Sequence, residues 1–121
     1  MMQRMAEVID AHEWDELATL LAPDFSCRYV HTGEEFGRDD WVRLNADYPG
    51  FQHFVLEDCV GAGPRAAGRG HVTGLKDGQR EHFGVASFIT VHQDRIVDLV
   101  EVWTDMHETA AAERRPGAQH D

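Results

Sequence analysis

Apolar residues recur at helical spacing from Met2 to Leu21. Met5, Val8 and Ile9 form one set, and Trp14, Leu17, Ala18, Leu20 and Leu21 a second, with a change of phase around Ala11 to Glu13. The pattern predicts two short helices or one bent one. It breaks at Ala22-Pro23-Asp24 and passes into alternation, placing Phe25, Cys27, Tyr29 and His31 on one face of a strand over 24–32. Thr32-Gly33-Glu34-Glu35 reads as a turn. Phe36-Gly37-Arg38 then leads into a helix whose first turn holds Asp39 and Asp40, well placed against the helix dipole, and whose inward stripe is Trp41, Leu44 and Tyr48. Tyr48-Pro49-Gly50 stops it. Three long extended segments follow, roughly 51–61, 65–76 and 80–92, and then a last strand from Arg95 to about His107. The order is helices, strand, helix, meander: one α+β domain over residues 1–108, with residues 109–121 losing the pattern as a frayed tail.

The last strand is apolar on both faces, Ile96, Val100 and Val102 on one and Val97, Leu99 and Trp103 on the other. Helices can cover one side of a curved antiparallel sheet. The other side would be a large bare apolar patch, for which a second copy of the chain is the ordinary cover, so a homodimer through the outer sheet face is expected.

Charge narrows the partners. With 22 acidic against 11 basic residues the formal charge is -11, which repels phosphate backbones and anionic lipid heads, so nucleic acid and membrane surfaces are disfavoured. Cys27 and Cys59 lie in strand-like runs without paired metal spacing, and no leading apolar segment precedes them, which reads as a reduced, cytoplasmic protein. None of the eight histidines is spaced as a ready-made metal site, and no serine sits in a nucleophile elbow. Gly61 to Gly70 lacks the Gly-Lys-Ser/Thr ending of a phosphate loop; if Ala66, Gly68 and Gly70 face inward, they enlarge an internal space by omitting side chains.

A phenol and an imidazole on a strand face that should be buried need partners or a ligand, so Tyr29 and His31 point at a pocket. A core tyrosine tied to a carbonyl is the alternative for Tyr29, and a place in solvent at the pocket mouth the alternative for His31.

The segments LLAPDF and DRIVDLVEVWTD, with the order of elements, resemble the SnoaL-like branch of the nuclear transport factor 2-like superfamily over about residues 3–107. The resemblance implies a cystatin-like cone: a strongly curved antiparallel sheet wrapped on N-terminal helices around an internal cavity. Relatives include polyketide cyclases, ketosteroid isomerase, scytalone dehydratase and epoxide hydrolases, so chemistry has to come from the lining. The ketosteroid isomerase pattern fails here, because its phenolic donor falls on Met5, its base on Tyr29 and its protonated aspartic acid near Ser87. Scytalone dehydratase fits in part. Its aspartate falls on Asp10, its strand tyrosine on Tyr29 and its histidine on His53 of QHFV, while Ser87 stands for its asparagine, Asp77 lies nearest its second histidine, and Ile9 replaces a tyrosine.

The resemblance thus implies a small, largely apolar molecule in the cavity. His53 would move a proton, oriented by Asp10, and Tyr29 would hydrogen-bond a substrate oxygen, in a lyase, isomerase or cyclase step needing no cofactor. Simple alternation, which groups Phe54 with Leu56, turns His53 outward instead. The resemblance sets Trp103 against the cavity, and Leu99, Glu101 and Asp105 share its face, with Asp105 near the rim. Ser87, His31 and Trp14 complete the expected contacts. For Glu101, a salt bridge to Arg28, Arg65 or Arg69 is preferred over a desolvated general acid. Ligand binding without catalysis, or a dimeric interaction module, are the competing functions.

Overall fold

In the computed structural model, which describes residues 1–106, the chain runs α1 (Met2–Asp10), α2 (Trp14–Leu20), β1 (Leu21–Tyr29), β2 (Glu35–Gly37), α3 (Arg38–Ala46), β3 (Phe51–Val60), β4 (Arg65–Lys76), β5 (Gln79–His92) and β6 (Arg95–Asp105). The expected tail over 109–121, and the end of the last strand at His107, lie outside the described residues. The phase change between the first two apolar sets is a break between two helices: His12 takes φ +58° and turns the chain. Met2, Met5, Ala6, Val8 and Ile9 all face inward from α1.

The six strands form one curved, unclosed sheet in the order β2-β1-β6-β5-β4-β3. Every neighbouring pair is antiparallel except β1–β6, which is parallel and sets Cys27 beside Leu99 and Tyr29 beside Glu101. β1 begins three residues earlier than the alternation suggests, and its register on β6 shifts between Leu21 and Ser26. Pro23 falls in that irregular stretch, where a residue without an N–H costs no ladder hydrogen bond. The hairpins β4–β5 and β5–β6 turn through Asp77-Gly78 and Gln93-Asp94, each pair at positive φ, the backbone that matches the twist of two antiparallel strands.

The core fills the space between the helices and the concave sheet face. Met5, Leu17, Leu21, Ile89, Ile96 and Leu99 are fully enclosed there, each burial worth about 1.5–3 kcal/mol. The last strand departs from plain alternation. Thr90 pairs with Asp98 but Val91 with Ile96, so Val97 is an extra residue and Ile96 joins Leu99, Glu101 and Trp103 on the inner face. The expected grouping of Ile96 with Val100 and Val102 is corrected by this bulge. A second correction concerns the small residues of β4. Gly68 and Gly70 do face inward, yet the room they leave is taken: a Cβ on Gly68 would lie 2.9 Å from Leu56 and one on Gly70 2.8 Å from Phe54. They admit neighbouring side chains instead of enlarging a void.

On the convex face Ala86 and Phe88 of β5 lie across from Val102 and Val100 of β6, with Phe88 and Val102 both exposed. His71 and His82 touch on the same face, Nε2 to Nδ1 at 2.9 Å. No described helix is long and apolar enough to cross a membrane.

Candidate functional site

A cavity of about 340 Å³ opens between the inner sheet face, the end of α1 and the C-terminal half of α3. Its apolar wall is Ile9, Phe51, Phe54, Val72, Phe83 and Trp103, and its polar groups are Tyr29, His31, Asn45, Tyr48, Thr104 and Asp105. Leu44 and Tyr48 stand at its mouth and also border a shallow groove outside α3, so of the expected α3 stripe only Trp41 is buried.

Tyr29 reaches the cavity because β1 alternates strictly from Phe25 onward and its last inward position lies past the helices. The Trp41 indole N–H donates to the Tyr29 hydroxyl oxygen at 3.2 Å. Among the described residues no group accepts the Tyr29 proton, so the hydroxyl is free to donate into the cavity. Burial, and then the nearby Glu101 carboxyl, push the phenol far above its ordinary range, while the Trp41 hydrogen bond opposes this. Tyr29 is therefore a neutral donor at any physiological pH. His31 stacks on Tyr29 at 5.4 Å between ring centroids, and its Nδ1 accepts the Trp103 backbone N–H at 3.4 Å. This contact leaves the imidazole proton on Nε2.

Behind the cavity wall lies the main departure from expectation. Glu101 is 2% exposed, with Ser87 Oγ donating to Oε2 at 2.7 Å and the Trp103 indole N–H donating to Oε1 at 3.2 Å. Among the described residues it has no arginine partner; Arg69 bonds Glu57 on the convex face instead. Loss of solvent pushes its carboxyl up to about 7, against the two hydrogen bonds, which pull it down. The preferred salt bridge with Arg28, Arg65 or Arg69 is thus replaced by a desolvated carboxyl. Glu101 and Ser87 back Trp103 and do not line the cavity themselves. The thiol of Cys27, on the adjoining strand, is likewise pushed up by burial and then by Glu101, which makes it inert.

Asp10 and His53 do meet, Oδ1 to Nδ1 at 3.2 Å, and the Phe54 N–H also donates to Asp10 Oδ1 at 2.9 Å. The His53 side chain is 68% exposed, however, and it is Phe54 and Phe51 that line the cavity. Strand alternation holds only past an irregularity between Phe51 and His53: from His53 onward Phe54 and Leu56 take the inner side and His53 the outer, so the pair fastens the end of α1 to β3 outside the cavity. Leu99 packs wholly within the core, and Trp14 packs beside the rings of His12 and Phe51. Of the expected contacts, Tyr29, His31, Trp103 and Asp105 come together on one cavity, whereas Asp10, His53, Ser87, Leu99, Glu101 and Trp14 do not line it. Sequence reasoning missed Asn45, whose Nδ2 donates to the Trp41 carbonyl at 2.8 Å. The spacing of Trp41 and Asn45 on one helix face, with Tyr48 just past its end, was the signal available. It also missed Phe83, which shares the inner parity of Val85 and Ser87. No group of three or more His, Cys, Asp or Glu among the described residues could hold a metal ion.

A solved structure of a candidate ketosteroid isomerase from Kribbella flavida is similar to this chain at 27% identity and TM-score 0.79, covering 98% of this chain and 82% of that one. An NTF-2 like protein of unknown function from Burkholderia xenovorans matches at 17% identity and TM-score 0.71, over 95% and 90% of the two chains. A candidate SnoaL-like polyketide cyclase from Jannaschia sp. matches at 16% identity and TM-score 0.71, over 84% and 81%. No curated protein matches the sequence. The model of the SnoaL-like domain matches residues 2–99. With that match covering most of the chain, and with the helices, curved sheet and cavity just described, the chain belongs to the SnoaL-like domain family.

Proposed function

We propose that this chain binds a small, largely apolar organic molecule in the cone cavity, with an oxygen of the ligand accepting the Tyr29 hydroxyl proton. The observation that carries this reading is a half-buried phenol whose oxygen is already occupied by Trp41 and whose proton has no acceptor among the described residues, placed on a cavity rich in aromatic rings. An aromatic wall beside this oriented donor favours a flat molecule bearing a carbonyl or hydroxyl. The pair 2-acetylnaphthalene and 2-ethylnaphthalene tests it, since the two differ in one carbonyl. The protein is expected to prefer the ketone, and Tyr29→Phe to cut that preference about fivefold, the worth of one hydrogen bond. A ketone preference that survives Tyr29→Phe unchanged, measured by calorimetry, would remove Tyr29 from this role.

A cofactor-independent proton transfer of the lyase, isomerase or cyclase kind is the second reading. It is favoured by the carboxylate of Asp105 and the phenol of Tyr29 opening on the same cavity, a base and a donor for the oxyanion. We also infer a homodimer through the convex face, where Ala86, Phe88, Val100 and Val102 form a continuous apolar patch. Sedimentation velocity is expected to show a dimer that Phe88→Glu splits into monomers; a wild-type monomer at high concentration would sink this reading.

A further inference from the structure

The cavity carries one formal charge among its described lining residues, the carboxylate of Asp105, and no lysine or arginine. Arg43, on the helix that forms part of its wall, ion-pairs Asp40 at 3.4 Å and opens on the outer groove instead. Six aromatic rings stand on the wall, those of Tyr29, Tyr48, Phe51, Phe54, Phe83 and Trp103. Two of these make a corner: the rings of Tyr29 and Trp103 stand 6.4 Å apart between centroids and are inclined at 54°. Trp103 is held there by its indole N–H donating to Glu101.

We propose that the cavity selects cations, and that its ligand is a small alkylammonium or arylalkylammonium whose charged nitrogen sits against Trp103 beside Asp105, the Tyr29 hydroxyl staying available to a ligand oxygen. Ring faces carry the negative lobe of the aromatic quadrupole, so a desolvated ammonium gains most where several rings converge and a carboxylate stands at the edge. An anion would meet the opposite of each of these features. It would stand beside the Asp105 carboxylate and in front of the buried Glu101 carboxyl, with no lysine or arginine among the described lining residues and the His31 imidazole alone as a basic group there. The net charge of -11 also draws cations toward the molecule before they reach the mouth.

The inference names the ligand class of the cavity proposed above and rests on that reading, so the experiment has to separate the two. Three naphthalenes with the same apolar body serve as probes: 2-naphthylmethylammonium, 2-naphthylmethanol and 2-naphthoate, titrated into the full chain by calorimetry at neutral pH. The ammonium is expected to bind about tenfold more tightly than the alcohol, as a desolvated contact with aromatic faces implies, and the carboxylate most weakly. Asp105→Asn and Trp103→Phe are each expected to reduce the ammonium-to-alcohol ratio to about threefold or less. Alcohol binding as tight as ammonium binding would overturn the inference while leaving the cavity reading in place. An ammonium preference unchanged in both variants would overturn the proposed seat, because the selection would then come from the overall field of the protein. Failure of all three probes to bind would overturn the cavity reading and this inference with it.

Discussion

Replacing Glu101 by glutamine is expected to make the folded chain more stable above neutrality, by up to about 3 kcal/mol at pH 8, and to change little near pH 4.5. The sign follows from which state holds the proton. In the unfolded chain Glu101 titrates near its ordinary 4.5, and in the folded chain burial raises it to about 7. Between those values the folded state binds more protons than the unfolded one, so stability falls as pH rises. The contribution is fully present below about 4.5 and is lost through about 7. Each tenfold change in proton affinity is worth about 1.4 kcal/mol, which over this span sets the upper bound just given. Glutamine keeps an oxygen for the Trp103 indole and offers Ser87 an amide in place of the second oxygen, but never has to be buried with a charge. Urea denaturation of both chains from about pH 4.5 to 8 reads the difference directly, and other titrating groups cancel in the comparison. A gap between wild type and variant that stays constant across this range would mean that Glu101 ionises in the fold as it does in water.

Gly50→Ala is expected to be among the most damaging single substitutions in the chain, costing about 3 kcal/mol or more. Gly50 takes φ +77°, and a Cβ there would lie 1.9 Å from the Leu75 carbonyl oxygen. That atom cannot retreat, since the Leu75 N–H is itself bonded to the Gly50 carbonyl at 2.8 Å and the two backbones are clamped together. Gly78 is the control. It has the same φ of +77° but nothing within 4 Å of the added carbon, so Gly78→Ala reports strain without collision and is expected to cost about 1 kcal/mol. Equal losses for the two variants in thermal or urea unfolding would dismiss the clash. Because Phe51 and Phe54 follow Gly50 and wall the cavity, Gly50→Ala is also expected to weaken the binding of 2-acetylnaphthalene.

The element pattern was legible because burial here largely follows period: helical spacing in α1 and α2, and alternation in β1 from Phe25, in β3 between His53 and Leu56, and in β4 and β5. The breaks between the extended segments fell where the hairpins turn, and of the turn residues Asp77-Gly78 suit positive φ by type whereas Gln93 is held there by the fold. What alternation could not carry was the bulge at Val97, where one extra residue moved Ile96 to the other face. Pairing was also invisible locally, and the parallel placement of β1 on β6 is a contact between distant parts of the chain. The site divides along the same line. Tyr29, Trp103 and Asp105 were found from parity and resemblance together. His53 was found by resemblance against parity, and parity proved the better guide to its direction. Glu101 illustrates a third limit: its face was read correctly, but whether a buried carboxyl meets an arginine or two neutral donors depends on neighbours that only the folded sheet supplies.

The parallel pairing of β1 with β6 has a consequence for the order of assembly. His31 and Trp103, which share a hydrogen bond at the cavity mouth, lie 72 residues apart in the chain. The hairpins β3–β4, β4–β5 and β5–β6 close short loops and can zip in succession, but β1 must wait beside its helices until the final strand is available. The core, which needs Ile96 and Leu99, and the receptor for a guest molecule, which needs Trp103, are therefore completed by the same last strand, and a guest can stabilise only the fully assembled fold.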